Sequence, residues 1–147
     1  MKQNGIYDML GQLQASPNVY FLSEGMDFDS NQFNPQTKTI TWNSRVGFYT
    51  DNLYEMSPVE VLNHEIDHAL EYDTNPIQQK TYGGIKDPNY SNLEEKRVIT
   101  GSEQETAQKL GKLKPGEVTR DNHGGSPYET TSPISTEPKW SCTPSKE

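Results

Sequence analysis

The sequence lacks long apolar runs and has only one cysteine. No stretch approaches the roughly 18–20 apolar residues that a membrane-spanning helix needs. Residues 1–16 contain no long apolar segment either, so we expect no secretory signal there. Cys142 cannot form an internal disulfide, and its polar surroundings, rich in Pro, Ser and Thr, do not favour a reactive thiolate. The sequence therefore predicts neither a membrane anchor nor a disulfide scaffold.

Basic charge is also scarce. The chain has 13 Lys and Arg residues against 21 Asp and Glu residues, which gives a net charge of −8. A nucleic-acid-binding surface needs a basic patch that neutralises phosphates, and an anionic membrane attracts polybasic segments. We therefore expect neither nucleic acid nor membrane among the partners of this protein.

Hydrophobic residues make up only 30% of the 147 residues, and ten prolines and eleven glycines accompany them. This composition predicts one domain over residues 1–147, with a small core at about 18–130 and long loops. Residues 112–147 form either an ordered meander or a loose tail, and 131–147 are the candidate for a loose tail. Apolar periodicity predicts helices and strands, and it predicts loops between them. The predicted helices cover 4–14, 57–73 and 92–111, the strands 18–22, 37–43 and 45–50, and the loops 23–36 and 74–91. The strand 18–22 is expected to be buried.

These elements predict an α+β fold that combines an active-site helix with a short antiparallel or mixed sheet. The helix 92–111 is expected to break near Gly101 and to restart with Ser102 as N-cap. The strand 37–43 is expected to be the edge strand along which a substrate peptide adds as a further strand. Trp42 and Asn43 would then flank the cleft.

The most informative stretch is "NHEIDHAL", which contains two of the three histidines of the chain. Ser57, Pro58 and Glu60 form the pattern of a capped helix start just before it. His64 and His68 are four positions apart and so share one helix face. Two imidazoles one turn apart can bind one zinc ion at about 2.0–2.1 Å. The alternative is that both histidines are ordinary residues of an amphipathic helix.

Glu65 follows the first histidine directly, where it lies beside such a metal ion rather than among its ligands. Zinc lowers the pKa of a water that it holds towards ~7. The Glu65 carboxylate can take a proton from that water and later deliver it to a leaving amine. The pattern H-E-x-x-H therefore predicts a zinc hydrolase in which Glu65 is the general base and acid.

A catalytic zinc ion needs a third protein ligand as well as an open position. A histidine six positions after His68 would serve, but that residue is Thr74. The remaining candidates are His123 and the carboxylates of the next helix, namely Glu94, Glu95, Glu103 and Glu105. A metal-binding carboxylate faces inward, and Glu95 shares a helix face with Val98 and Ile99. Glu103 shares a face with other apolar residues, and for each glutamate the alternative is a solvated helix face.

The stretch "TRDNHGG" offers donors for the oxyanion that forms during peptide hydrolysis. Arg120 and His123 lie together in this glycine-rich segment, where a substrate backbone can approach closely. We predict that both take part in catalysis, the alternative being that they are surface residues. Asp67, next to His68, is a candidate for orienting a metal ligand through a hydrogen bond on the side of that ligand away from the metal.

The stretches "NHEIDHAL", "LEEKRVITGSEQETAQKLG" and "TRDNHGGSPYETTSP" together resemble the effector-type zinc metallopeptidases. Those enzymes are injected by bacterial secretion systems, and similar domains form the C-terminal tips of Rhs-type polymorphic toxins. The resemblance covers roughly residues 37–130. The segment "EEKRVITG" is also similar to the "E-E-x-R-T-x-G-G" segment of the clostridial neurotoxin light chains. In those proteins the second glutamate binds zinc, which implies Glu95 here. The separation between the second histidine and this glutamate is shorter in this sequence than in the light chains, at 27 positions from His68 to Glu95.

The resemblance implies a zincin-like fold and hydrolysis of a peptide bond in a protein substrate, with zinc as the cofactor. It implies a metal site of His64, His68 and Glu95, with Arg120 and His123 near the substrate. It also implies a domain delivered into a target cell as part of a larger polypeptide, with a cognate immunity protein if it is a toxin. The alternative location is the bacterial cytoplasm. The alternative functions are a zinc hydrolase of a non-protein amide, such as a cell-wall peptide, and an inactive zincin-like interaction module.

Overall fold

The helix that carries His64 and His68 lies at the centre of an α+β fold. The computed structural model describes residues 5–139. In it, helix α2 (Pro58–Thr74) packs against helix α1 (Gly5–Gln14), against strands of two small sheets and against the helical segment that follows residue 92. The expected α+β class and the expected N-terminal helix are confirmed. No helix within these residues is both long and apolar enough to cross a bilayer.

The start of α2 has the predicted cap. The Ser57 side chain accepts a hydrogen bond from the Glu60 backbone N–H at 3.3 Å, and the Glu60 carboxylate accepts one from the Ser57 backbone N–H at 3.0 Å. Pro58 occupies the first turn, where its missing N–H costs no hydrogen bond. Glu60 is buried and also accepts hydrogen bonds from Tyr54 and Lys112, each at 2.5 Å. The cap therefore fixes the first turn of the helix to the protein interior.

Replacing the capping residue tests how much this contact contributes. We expect Ser57→Ala to lower the free energy of unfolding by about 0.5–2 kcal/mol, because the Glu60 backbone N–H loses its acceptor and the Glu60 carboxylate loses the Ser57 hydroxyl as a donor. Denaturant unfolding measures the change. Ser126→Ala is the matched control, since Ser126 is exposed and its side chain has no hydrogen bond among the described residues. Equal stability of the two variants would contradict the capping role.

The first sheet has the order β1–β3–β2, and its strands are β1 (Phe21–Glu24), β2 (Gln32–Asn34) and β3 (Thr39–Trp42). Strand β3 is central, parallel to β1 and antiparallel to β2. The expectation that 37–43 is an edge strand is therefore wrong. The edge nearer the histidines is β2, which lies in the predicted loop 23–36 and is too short to give a periodic signal. Nor is the predicted strand 18–22 buried: β1 is the other edge, and Phe21 and Leu22 are exposed.

The second sheet is antiparallel with the order β5–β4–β8, formed by β4 (Val46–Thr50), β5 (Glu55–Met56) and β8 (Gly125–Glu129). Strand β4 is the predicted strand 45–50. Trp42 and Asn43 precede it and do not line the cleft. The Trp42 indole donates to the carbonyl of Pro58 at 2.8 Å, and Asn43 is fully buried and donates to Asp27. Both residues support the loop before β4 and the start of α2.

The predicted loop 74–91 contains a helix, α3 (Pro76–Gly83), and a hairpin of β6 (Lys86–Asp87) and β7 (Ser91–Asn92). The loop prediction was wrong for a physical reason. Helix α3 has no buried residue, so its sequence carries no apolar periodicity. Its Gln79 side chain donates to the backbone carbonyl of His68 at 2.6 Å, which ties the helix to α2.

The predicted helix 92–111 is a continuous helical segment with an altered middle. It consists of α4 (Leu93–Val98), a π-helical turn (Ile99–Glu103) and α5 (Gln104–Lys109). The expected break near Gly101 is this π turn, so Ser102 does not cap a new helix. The Ser102 hydroxyl instead donates to Asp67 on α2. π turns occur often at functional sites because they shift side chains around the helix.

Two apolar clusters hold these elements together. One joins Leu13 of α1, Ile40 of β3 and Ile66 and Ala69 of α2, and the other joins Tyr54, Met56 and Ala107. Backbone hydrogen bonds from Val59 to Pro133 and from Lys139 to Glu129 attach residues 131–139 to the body. Cys142 lies outside the described residues.

Candidate metal centre and catalytic cleft

Three side-chain groups converge between α2 and α4. The Nε2 atoms of His64 and His68 are 3.2 Å apart, and they lie 3.0 and 3.1 Å from the two carboxylate oxygens of Glu95. A tetrahedral ion with bonds of about 2.0–2.1 Å has its ligand atoms about 3.3 Å apart. The observed spacings are close to this value. His64, His68 and Glu95 therefore form a group that could hold a metal ion.

Each histidine is oriented by a buried carboxylate on its other ring nitrogen. His64 Nδ1 lies 2.9 Å from Glu103 Oε1, and His68 Nδ1 lies 2.8 Å from Glu94 Oε2. A carboxylate at this position holds the proton on Nδ1 and leaves the Nε2 lone pair for a metal. Glu94 and Glu103 were candidates for the third ligand, and the structure places them behind the histidines instead.

The Glu94 carboxylate is held by Arg97, whose Nε and Nη2 atoms donate at 3.0 and 2.9 Å. The same guanidinium donates to Asp67 at 3.1 Å, and Asp67 also accepts from Ser102. Asp67 was expected to orient a metal ligand from behind. Within residues 9–139 its side-chain hydrogen bonds go to Arg97 and Ser102, so it acts on His68 only through Arg97 and Glu94.

Arg120 holds the other supporting carboxylate. Its Nε and Nη2 atoms donate to the two oxygens of Glu103 at 3.0 and 2.8 Å, and the Thr119 hydroxyl adds a bond of 2.7 Å. Arg120 is only 6% exposed, and its guanidinium also stacks 5.2 Å from the centre of the Phe48 ring. The residue was expected to contact substrate. The structure gives it a positioning contact to His64 through Glu103, while one face still lines the cleft.

The carboxylates set the pKa of the two histidines when no metal is bound. Burial lowers the pKa of His64, but hydrogen bonds to Glu103 and Glu95 outweigh burial and raise it to about 9. Burial likewise lowers the pKa of His68, and hydrogen bonds to Glu94 and Glu95 raise it to about 10. Without metal, both imidazoles therefore carry a second proton at neutral pH.

The carboxylates show the opposite shifts. Burial raises the pKa of Glu103, but the His64 hydrogen bond and the Arg120 charge outweigh it and lower the pKa to about 2. For Glu95, burial is outweighed by hydrogen bonds to three histidines, including His123, and the pKa falls far below its usual range. The carboxylates are therefore ionised at neutral pH, and only the histidines must lose protons to a metal.

Glu65 differs from the other buried carboxylates. Its side chain is 9% exposed and has no hydrogen-bond partner among residues 9–139, whereas Glu60, Glu94 and Glu103 each have several. The side chain lines both cavities that flank the metal group. An acceptor held beside the metal group without a protein partner is available to a water or a substrate.

His123 lies on the open side of the same group. It is 45% exposed, and its Nε2 atom is 3.2 Å from Glu95 Oε1. Its backbone N–H donates to the carbonyl of Asn89 at 3.0 Å, which fixes the loop across the β6–β7 hairpin. His123 is not part of the three-residue metal group. The close approaches that Gly124 and Gly125 permit are to Asp51 and Phe48 of the protein itself.

Two cavities open on either side of the metal group, and both are lined by His64, Glu65 and His123. The first has a volume of about 220 Å³ and an apolar wall from the second sheet. The second has a volume of about 360 Å³ and lies between the β2 edge, α3 and α4. Together they give a cleft that passes over the metal group and Glu65.

Four residues have supporting roles that their sequence pattern did not predict, namely Glu94, Arg97, Glu103 and Thr119. One local signal existed, because Arg97 follows Glu94 at i+3, where opposite charges pair on a helix. The Arg120–Glu103 pair joins residues 17 positions apart and has no such signal. Glu105, the remaining ligand candidate, is exposed on α5, and its side chain makes no hydrogen bond among the described residues.

Removing the charge of a supporting carboxylate tests this arrangement. We expect Glu94→Gln to weaken metal binding about 10–100-fold, because the amide keeps the shape but no longer strengthens His68 as a ligand. Competition with a chelator of known affinity measures the change. Glu105→Gln is the matched control and should leave the affinity unchanged. Unchanged affinity in Glu94→Gln would show that the His68–Glu94 contact does not support the metal.

Comparisons of the chain with protein-family models, with curated proteins and with solved structures found no match. The chemistry of this site is therefore inferred from its geometry.

Proposed function

We propose that this protein is a zinc-dependent endopeptidase that hydrolyses a peptide bond in a protein substrate. The observation that carries the proposal is the convergence of His64, His68 and Glu95 beside the Glu65 carboxylate, which has no hydrogen-bond partner within residues 9–139. Two imidazoles and one carboxylate with an open position are a common ligand set of catalytic zinc, whereas structural zinc sites have four protein ligands.

A bound zinc ion would supply Lewis acidity, which lowers the pKa of a water and polarises the scissile carbonyl. Glu65 accepts the proton of the attacking water and delivers it to the leaving amine. His123 lies on the open side, where its imidazole can donate a hydrogen bond to the developing oxyanion. Glu94 and Glu103, each held by an arginine, keep both ligand imidazoles in place.

The first alternative is a hydrolase of a non-protein amide, which would use the same metal group. The cleft favours an extended peptide, because it runs past the β2 edge, which pairs only with β3 among the described strands. An extended chain can add to such an edge through main-chain hydrogen bonds. The second alternative is a non-catalytic interaction module. Against it stands Glu65, whose carboxylate lines both cavities beside the metal group and has no hydrogen-bond partner among residues 9–139, because a non-catalytic site gives this carboxylate no role.

The proposal includes the biological setting that the family resemblance implies. In that setting the domain is part of a larger polypeptide and is delivered into a target cell, where it cleaves a host protein. A cognate immunity protein would protect the producing cell. The support for this part is the likeness of residues 37–130 to the effector-type zinc metallopeptidases.

Elemental analysis of the purified protein tests the metal site. The wild type should contain about one zinc per chain, and His68→Ala should contain none, because a two-ligand site binds zinc too weakly to survive purification. His123→Ala is the matched control and should keep the zinc, because His123 lies outside the metal group. A wild-type protein that neither contains zinc nor takes it up would overturn the proposed function.

A further inference from the structure

The smaller cavity beside the metal group has an ordered apolar wall. Phe48 of β4 pairs directly with Pro127 of β8 on one side and with Met56 of β5 on the other. Directly opposed residues in antiparallel strands point to the same face of a sheet. The three side chains therefore form one row across the sheet, and all three line the cavity.

Helix α2 forms the wall of the cavity that is nearest the metal group. Val61 lines the cavity, three positions before His64 and four before Glu65, so it neighbours each of them on the helix surface. Phe28, from the loop before β2, adds a further apolar side chain. A substrate group in this cavity would therefore lie next to both a metal ligand and the proposed general base.

The cavity has the size and polarity for an uncharged side chain. Its volume of about 220 Å³ exceeds the roughly 150 Å³ of a cavity that holds a benzene ring. Arg120 also lines the cavity, but two of its nitrogens are engaged by Glu103. The cavity is lined by charges of both signs, so a carboxylate in it would lie near Asp29 and Glu65 and an ammonium group near Arg120. Burying either charge without a partner is unfavourable.

We propose that this cavity is a specificity subsite that binds an aliphatic or aromatic side chain at one of the two positions flanking the scissile bond. The inference rests on the proposed peptidase function and adds the substrate class. Val61 is the specificity-determining residue, because it lines the cavity one helical turn before His64 and Glu65. Its size sets how deep a side chain can enter.

Cleavage-site profiling tests the subsite. The zinc-loaded protein is incubated with a proteome-derived peptide library, and the products are identified by mass spectrometry. One position next to the cleaved bond should prefer Leu, Phe or Met over Gly and Asp by at least about tenfold. Val61→Phe should shift this preference to small residues, and Val61→Ala should shift it to larger ones. Val19→Phe, an exposed position outside the cavity, should leave the profile unchanged.

A binding measurement separates this inference from the proposed function. Acetohydroxamate and a hydroxamate with an isobutyl arm are titrated into the zinc-loaded wild type and the Val61 variants. The isobutyl compound should bind about tenfold more tightly than acetohydroxamate to the wild type and lose this advantage in Val61→Phe. If the protein cleaves no peptide but still binds the isobutyl compound more tightly, the peptidase function is overturned and the subsite is kept. Cleavage with no preference, or a preference for Lys or Arg directed by Asp29, would overturn the subsite.

Discussion

Glu65→Gln should abolish most hydrolysis while the protein keeps its metal. We expect the rate to fall about 10²–10⁴-fold, because the amide can no longer take a proton from the attacking water. The metal content should stay the same, since Glu65 is not a member of the group His64, His68 and Glu95. Turnover of a peptide found by the library screen, together with elemental analysis, measures both quantities on the same sample.

The stability of this variant carries further information. Glu65 has no hydrogen-bond partner within residues 9–139, so Gln should leave the thermal unfolding midpoint unchanged or raise it. Glu71→Gln is the matched control on the same helix and should change neither activity nor stability. A Glu65→Gln variant that retains wild-type turnover would show that another group acts as the base. A variant that loses zinc as well would show that Glu65 supports the metal rather than the proton transfer.

The part of the site on α2 was predictable because its signals are local. The Ser57–Glu60 cap fixes where the helix begins, and four-residue spacing then places His64 and His68 on one face. Glu95 was expected at the metal from its helix face, whereas the role of Glu103 was not predictable from spacing, because the π turn at Ile99–Glu103 changes the helical phase. Glu95 precedes the turn and Glu103 ends it, yet both reach the same imidazole, that of His64.

The parts of the fold that the sequence missed are those without an apolar pattern. Strand β2 has three residues, and helix α3 has no buried side chain, so neither produces a periodic signal. For strand β1 the apolar pattern was present but gave the wrong burial. Its apolar residues predicted a buried strand, whereas β1 lies at a sheet edge and is exposed. Arg120 was noticed as a functional residue, but its contact depends on a tertiary pairing with Glu103 that no local rule predicts.

Metal binding should release about two protons per zinc ion at pH 7, because both histidines are protonated in the metal-free protein. The pKa of His64 is raised to about 9 and that of His68 to about 10, while Glu95 is already ionised. Zinc affinity should therefore rise about a hundredfold per pH unit between pH 7 and the histidine pKa values. Calorimetry at pH 7 in buffers of different ionisation enthalpy counts the protons, and chelator competition at pH 7 and 8 measures the affinity. Affinity that is flat over this range would show that the imidazoles are neutral before metal binds.

The same protonation makes the stability of the metal-free and metal-loaded proteins respond to pH in opposite directions. A histidine whose folded pKa lies above its ordinary value of about 6.5 stabilises the folded state fully below that value. This contribution is lost as pH rises through the folded pKa values of about 9 and 10. Metal-free protein should therefore unfold at lower temperature at pH 9 than at pH 7. With zinc present, tighter binding at higher pH adds stability instead. In this scheme one divalent ion replaces two protons, so the net charge of the buried group stays the same. Unfolding temperatures that change with pH in the same direction with and without zinc would contradict this exchange.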